Sequence, residues 1–557
     1  MPRIFIQERT TRDDMVKLTI GQAAPYAVGT YFVLFLAAQA NAEFIQPGDL
    51  LLPLVIAGGV SAAAHLLAWL LTRSPDRAAL IAVVVSVTFS TMGYVVTAIA
   101  GANAPYLPGG MWIPIVLVTV VAIALTLAIA GATRSFAAVL PAITCVTAAL
   151  SLFNTAGGAH LLIQRPFPLT LGASGIPAPA VPEGRDLPDI YLIVPDKYAS
   201  SEVLRAQYGF DNRPFTDFLR ARGFAVPPVS RANYVQTFLS LGSMLNLEYL
   251  DWLPDSVGLD NPRWADAYQL VENNRLASFL HERGYRFVFL PTAFGVTRQN
   301  RYADLQLPDP HDIRPEFVTA WLMTTAAPVF QYLACRVTGC PPAGGGFVPE
   351  TAFMLDWKFE ELAKLTGGSR PQFVLAHLAV PHEPYIYGAD CQHRMPFWPE
   401  RDLGENAPRV RAAYLDQIRC LNEKLSRLIT RLQDASEVPP IIIVQGDHGH
   451  GLLGRNLPGL DETARWQVED RVSAFSAFAV PGLPPSALPD TVTPINLLRA
   501  VLRHAFSATL PPVENATFWS SYDRPYRLTR VPEQGVAPQN PHHAIRVKSS
   551  GRASVDQ

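Results

Sequence analysis

Asp447 and His448 stand together in the stretch 441–451, Ile-Ile-Ile-Val-Gln-Gly-Asp-His-Gly-His-Gly. A β-branched run that gives way to a glycine-flanked Asp-His is how a buried parallel strand ends in a polar turn. Ligands of open α/β sheets gather beyond the carboxyl ends of the strands. A carboxylate beside an imidazole there suits a divalent cation of zinc or manganese type. The same pattern also suits a plain strand-to-loop turn in which Asp447 caps backbone amides.

A second carboxylate occupies an equivalent place. The stretch 189–196, Asp-Ile-Tyr-Leu-Ile-Val-Pro-Asp, reads as a buried strand ending in Asp196, with Pro195 tolerated at the strand end. Thr237 opens a stretch of small and apolar residues that suits a helix. Its hydroxyl has two readings. It is an N-cap, or it is a nucleophile beside a phosphate or sulfate held by the free amides of the helix. A third strand, from Phe373, carries His377 within it and His382 just beyond it. Two histidines flanking one strand end suit an anionic substrate. If these strands share a sheet, Asp196, Thr237, Asp447 and His448 converge on one cation. Such a cation lowers the pKa of a bound hydroxyl and neutralises an oxygen of a phosphoryl or sulfuryl group. His377 and His382 would then donate to the remaining oxygens or protonate a leaving group. His450 is a spare ligand whose other reading is the turn itself.

The elements that must position these residues alternate in the manner of an α/β domain. Helices are expected near 201–208, 213–222, 273–284, 350–365, 407–433 and 493–505. Strands are expected at 285–290 and from Ser473. Residues 189–528 are therefore assigned to a doubly wound, mostly parallel sheet domain. An irregular insertion over 303–350 would overhang its site. Residues 161–188 read as a Pro- and Gly-rich linker, and 529–557 as a disordered tail.

The chain before residue 160 is different in kind. Charged residues are scarce there, and five apolar segments, roughly 20–41, 50–72, 79–100, 111–132 and 136–154, are long enough to span, against the ~20 residues that a bilayer requires. Arg3, Arg9, Arg12 and Lys17 precede the first, Arg73 and Arg77 follow the second, and Arg134 follows the fourth. The two intervening loops carry no Lys or Arg. Positive charge favours the cytoplasmic side, so this alternation puts the N-terminus in the cytoplasm and everything after the fifth span outside. His65 is the one clear ionisable group inside these segments, and it reads as a helix-contact residue in an anchor. The formal net charge of −2 gives no reason to expect a nucleic-acid partner.

Four of the five cysteines, Cys335, Cys340, Cys391 and Cys420, fall in the soluble part, which permits two disulfides if that part is exported. Four cysteines allow three connectivities. Cys335 and Cys340 bracket a short loop and are the favoured pair; Cys391 and Cys420 flank one strand–helix connection.

Taken together, Asp196 after its strand, Tyr-Val-Gln-Thr-Phe-Leu-Ser at 234–240, His-Leu-Ala-Val-Pro-His at 377–382 and Gly-Asp-His-Gly at 446–449 resemble the alkaline phosphatase superfamily. More narrowly the chain resembles the membrane-anchored sulfatase-like hydrolases and transferases, among them lipoteichoic acid synthase and the phosphoethanolamine transferases. The resemblance implies one divalent metal ion held by Asp196, Asp447, His448 and Thr237. Zinc or manganese is favoured; magnesium or calcium is allowed. It makes Thr237 the nucleophile and gives substrate binding to His382 and His377. It implies a multi-pass protein of the cytoplasmic membrane with an exported catalytic domain. Such a protein would move phosphoethanolamine or phosphoglycerol from a membrane phospholipid donor to an envelope glycan or lipid acceptor through phospho-threonine. A phosphate or sulfate ester hydrolase with the same site is the alternative, and a non-catalytic glycan-binding protein is a rival of another class. The Cys-X-Pro-X-Arg signature of formylglycine sulfatases is absent, and Lys197 stands where two-metal relatives carry a second acid.

Overall fold

The computed structural model describes residues 20–39, 45, 47–100, 112–163, 174–182, 184, 186–292, 294–307, 316–330, 349–397, 399, 407–452, 457–484 and 490–532. The charged N-terminal tail, the Cys335–Cys340 pair and residues 533–557 of the tail expected over 529–557 lie outside them; the start of that tail is ordered, with Thr529–Arg530 paired antiparallel to Phe518–Trp519. The chain forms two compact units, Met1–Arg165 with Ile313–Pro349, and Pro166–Asp312 with Glu350–Gln557.

In the first unit, helices α1 (Ala24–Gln39), α2 (Leu51–Thr72), α3 (Pro75–Ala100), α4 (Trp112–Gly131) and α5 (Val139–Ile163) follow the five apolar segments. Four are long and apolar enough to cross a membrane: Gly48–Thr72, Pro75–Val96, Trp112–Gly131 and Val139–Ala156. α1 is apolar but has only 16 residues, about 24 Å at 1.5 Å per residue. It packs in the bundle all the same, with Ala24 and Val28 against Ala79, Val83 and Leu140. His65 lies beside the Tyr26 ring, 6.1 Å between centroids.

The expected insertion over 303–350 contains a helix, Glu316–Thr324, which belongs to this first unit. Phe317, Val318, Trp321 and Leu322 are buried with Val33 and Ala57 of α1 and α2. The amide of Ala326 donates to the Phe89 carbonyl of α3 at 2.7 Å. Gly93 makes this approach possible, because a Cβ there would lie 1.9 Å from the Met323 carbonyl oxygen. Gly93→Leu should therefore destabilise the bundle by about 1–3 kcal/mol, the usual cost of overpacking. Gly59, where a Cβ would meet nothing within 4 Å, is the control. Melting temperatures of the detergent-solubilised Gly93→Leu and Gly59→Ala proteins compare the two directly.

The second unit is built on a six-stranded sheet. Its strands are β1 (Ile190–Asp196), β2 (Arg286–Leu290), β3 (Leu305–Gln306), β4 (Gln372–Pro381), β5 (Ile441–Gln445) and β6 (Ser476–Ala479). Their order in space is β3-β2-β4-β1-β5-β6. The strands pair in parallel except for β6, which runs antiparallel to β5, so the sheet is mixed. All residues of β1 and β5 are buried, as their unbroken apolar runs require of strands covered on both faces. Side chains alternate across a strand. Tyr191 and Ile193 accordingly join a core with Ile418, Leu421 and Leu425, while Ile190, Leu192 and Val194 join another with Phe238, Leu241 and Leu245. The first core is covered by the 29-residue helix Ala407–Ala435 and the second by the helix Thr237–Asn246. A disulfide joins Cys391 to Cys420, with Cα atoms 4.9 Å apart.

Candidate functional site

Register brings the first two carboxylates together. β1 and β5 pair in parallel with Ile190 opposite Ile441 and Ile193 opposite Val444. Asp196 and Asp447 are each three residues beyond that last pair, at the same end of adjacent central strands. The backbone amides of Lys197 and His448 donate to Asp447 Oδ1 at 3.0 and 2.8 Å. Asp447 thus caps the turn with one oxygen and keeps the other, Oδ2, free for the site. Oδ1 makes the cap that the turn reading expects, while Oδ2 is left without a hydrogen-bond partner.

Thr237 is the first residue of its helix rather than the cap, which is Gln236 in extended backbone. Gln236 is pinned by Nε2 donating to the carbonyls of Ser520 and Ser521. Ser240 Oγ donates to the Asp447 carbonyl at 2.6 Å, tying the first turn of the helix to the Asp-His loop. Thr237 Oγ1 then lies 3.1 Å from His448 Nε2.

The tautomer of His448 follows from its other nitrogen. Nδ1 lies 2.9 Å from the Gly449 carbonyl oxygen, which can only accept, so Nδ1 carries the proton and Nε2 the lone pair. Burial, and then the charge of Arg471, push the His448 pKa well below its ordinary value, so the ring is neutral. Nε2 faces Asp447 Oδ2 at 3.1 Å and Asp196 Oδ1 at 3.9 Å.

Ligand atoms of Asp196, Asp447 and His448 all lie within 4.8 Å of one another, and all three residues are buried. Asp196 Oδ1 and Asp447 Oδ2 have no hydrogen-bond partner. Burying such oxygens is costly unless something positive meets them. Burial, reinforced by the Asp196 charge, pushes the Asp447 carboxyl up to about 7. Burial would raise Asp196 too, but His382 and His377 more than offset it and hold that carboxyl well below the usual range. Two carboxylate oxygens without donors, converging with the lone pair of an imidazole nitrogen, fit a divalent cation of the zinc or manganese kind. Thr237 Oγ1 stands beside them as a further oxygen.

The other histidines are sorted by exposure and partners. His377 is fully buried in β4, with Nδ1 on Thr297 Oγ1 at 2.8 Å and Nε2 3.6 Å from Asp196 Oδ2. It faces the carboxylate cluster. His382 follows β4, its amide donating to the Asp196 carbonyl, and keeps 31% of its side chain exposed. Of the two, His382 is the one a substrate can reach. Both ring nitrogens of His450 are taken by phenols, Nδ1 by Tyr208 at 2.6 Å and Nε2 by Tyr385 at 2.9 Å. His450 is therefore a buried network residue outside the cluster.

Residues 272–505 match the sulfatase family model. The chain carries a sulfatase domain. The matched part holds His377, His382, Asp447 and His448, while Asp196 and Thr237 lie before it. No curated protein matches the chain. Among solved structures the chain is similar to the integral membrane lipooligosaccharide phosphoethanolamine transferase A (EptA) of Neisseria meningitidis. That match has 12% identity and a TM-score of 0.40, and covers 89% of this chain and 96% of that one. The zinc complex of the periplasmic domain of EptC from Escherichia coli matches at 12% and 0.40, over 64% of this chain and 94% of that one. A 2-O glycosaminoglycan sulfatase, BT1596, matches at 13% and 0.38, over 60% and 78%. These scores all fall below 0.5, and the assignment of the sulfatase domain rests on the family match.

Three charged residues at this site are not assigned a role by the sequence reading. Lys197, held at φ 64°, pairs through Nζ with Glu383 at 2.9 Å, both side chains buried. That pairing cancels the Lys197 charge inside the fold, and the His-Glu-Pro run beside His382 is the signal for its partner. Arg471 reaches His448 Nε2 with Nη2 at 3.1 Å from 23 residues along the chain. No local pattern marks it.

Proposed function

We propose that the protein is a metal-dependent phospho-group transferase of the cytoplasmic membrane. In this reading its sulfatase domain lies on the outer face and moves a lipid head group, phosphoethanolamine or phosphoglycerol, to an envelope glycan or lipid. The observation that carries the reading is the hydroxyl of Thr237 at 3.1 Å from His448 Nε2, within a buried Asp-Asp-His cluster. Asp196, Asp447 and His448 would hold the cation, with Thr237 Oγ1 beside it. When bound, the cation supplies charge neutralisation at the reacting phosphoryl group and favours the ionised hydroxyl.

The residues of the chain supply the rest. Thr237 gives up its hydroxyl proton to solvent as Oγ attacks phosphorus, the bond to the lipid oxygen breaks, and the lipid leaves as the alcohol with a proton taken from solvent. An acceptor hydroxyl then attacks the phospho-threonine, its proton is lost, and Thr237 is regenerated. The part-exposed imidazole of His382 is suited to hydrogen-bond a substrate oxygen. His377, buried against Asp196, is suited to fix that carboxylate.

Five apolar helices before the domain support a membrane-borne donor, and the Cys391–Cys420 disulfide suits an oxidising compartment outside the cytoplasm. With α1 counted as a fifth span, the N-terminus lies in the cytoplasm and 189–528 outside, with 161–188 as the linker. The test uses full-length protein in detergent and phospholipid labelled in the head group. Label transferred only when an envelope glycan or lipid fraction is added supports the transferase. Label released to water at the same rate without acceptor makes the protein a hydrolase. No turnover of any phosphate or sulfate ester, with glycan binding retained, favours the non-catalytic rival.

A further inference from the structure

Arg471 is a buried cation without a counter-ion. It is 3% exposed, and among the described residues no carboxylate forms an ion pair with it. The neighbouring Asp470 turns instead to Tyr208 Oη and the Leu452 amide, at 2.7 and 2.8 Å. Leaving a guanidinium buried and unpaired is costly, so a fold that keeps one has built something around it.

The construction is visible in the glycines of the Asp-His loop. A Cβ on Gly449 would lie 1.9 Å from the Asp470 carbonyl oxygen, and one on Gly451 would lie 2.8 Å from Arg471 Cδ. Both positions must be bare for the end of the helix Arg465–Val472 to lie against the loop and for the Arg471 side chain to pass it. The guanidinium is then fixed in plane by two carbonyls: Nε donates to Val235 at 2.8 Å and Nη1 to His450 at 3.3 Å. Nη2 is left pointing into the site, 3.2 Å from Tyr522 Oη and 3.1 Å from His448 Nε2. Thr237 Oγ1 is also 3.1 Å from that nitrogen. The donor and the hydroxyl therefore flank the same point.

We propose that Arg471 is the oxoanion-binding residue of this site, its Nη2 holding a non-bridging oxygen of the phosphoryl group beside Thr237. The inference rests on the reading of Thr237 and its metal cluster given above. The charge balance supports it. Two carboxylates cancel a dication, the Lys197–Glu383 pair cancels itself, and His448 is neutral. Arg471 is then the uncompensated positive charge facing the nucleophile. With a metal ion held by His448, Nε2 would no longer accept from Nη2, and that donor would be available to an anion. Arginine suits the role because its planar fork can keep two donors on the scaffold and present a third.

The test titrates full-length, zinc-loaded protein with inorganic phosphate by calorimetry, and zinc content is measured on the same samples. Arg471→Gln should keep one zinc per chain and bind phosphate at least tenfold more weakly. Arg471→Lys should keep zinc and recover part of the affinity. Equal phosphate affinity in wild type and Arg471→Gln overturns the inference, and so does loss of zinc from both variants, which would make Arg471 a support of the metal cluster. If Arg471→Gln alone loses zinc, the lysine variant decides: wild-type affinity overturns the inference and weakened affinity supports it. Wild type that binds zinc but no phosphate also overturns it. Formation of phospho-Thr237 from a lipid donor by the wild type tests the underlying reading separately.

Discussion

Thr237→Ala lowers turnover of the lipid donor by about 10³-fold or more, the scale seen when a nucleophile is removed, while zinc content stays near that of wild type. The expectation follows from placement. Thr237 is the first residue of its helix, its backbone needs no hydroxyl cap, and its Oγ1 reaches His448 Nε2. Removing the hydroxyl takes away the attacking atom and leaves Asp196, Asp447 and His448 in place. Thr237→Ser restores an oxygen and should recover much of the rate. Head-group release measured for the three proteins at equal zinc content checks this. An alanine variant with wild-type turnover would place the nucleophile elsewhere.

The second large effect is on the cation and depends on pH. Asp447 is pushed up to about 7 in the metal-free fold, above its unfolded value of about 3.9. Between about pH 4 and 7 the folded state holds a proton that the unfolded state has lost, so the stripped protein loses stability as pH rises through that window. Asp470, pushed up to about 6 by burial, acts in the same direction. A cation needs the charged carboxylate, so its apparent affinity rises about tenfold per pH unit up to about pH 7 and then levels off. Zinc should therefore raise the melting temperature of the stripped protein far more at pH 8 than at pH 5.5. Asp447→Asn should abolish stoichiometric zinc and, with it, turnover. An equal zinc shift at both pH values, or undiminished zinc in the asparagine variant, would contradict the assignment.

Several of these features are legible in the sequence for a physical reason. The apolar run of β1 leads directly into Asp196, and that of β5, Ile441 to Val444, is followed three residues on by Asp447, so the strand pattern and the site residues share one signal. The start of the helix at Thr237 is legible from its small and apolar residues. The direction of β6 is not, because the connection from β5 is long enough to return on either course; the strand comes back antiparallel and makes the sheet mixed. The helix Glu316–Thr324 has only nine residues. Its membership of the first unit depends on Gly93 and on Trp321 burial far away in sequence. Arg471 is hidden for the same reason. Its place is set by a close backbone approach at Gly449 and Gly451, which a sequence records only as two glycines in a turn.

The central claim is that Thr237, beside a buried cation site, carries the transferred group. Wild-type protein loaded with zinc can be incubated with a phospholipid donor in the absence of acceptor, then digested and analysed by peptide mass. The expected result is a head-group phosphate adduct on the peptide containing Thr237, absent after chelation of zinc and absent in Thr237→Ala. An adduct on another residue, or product formed by the wild type while the Thr237 peptide stays unmodified at every time point, would contradict it.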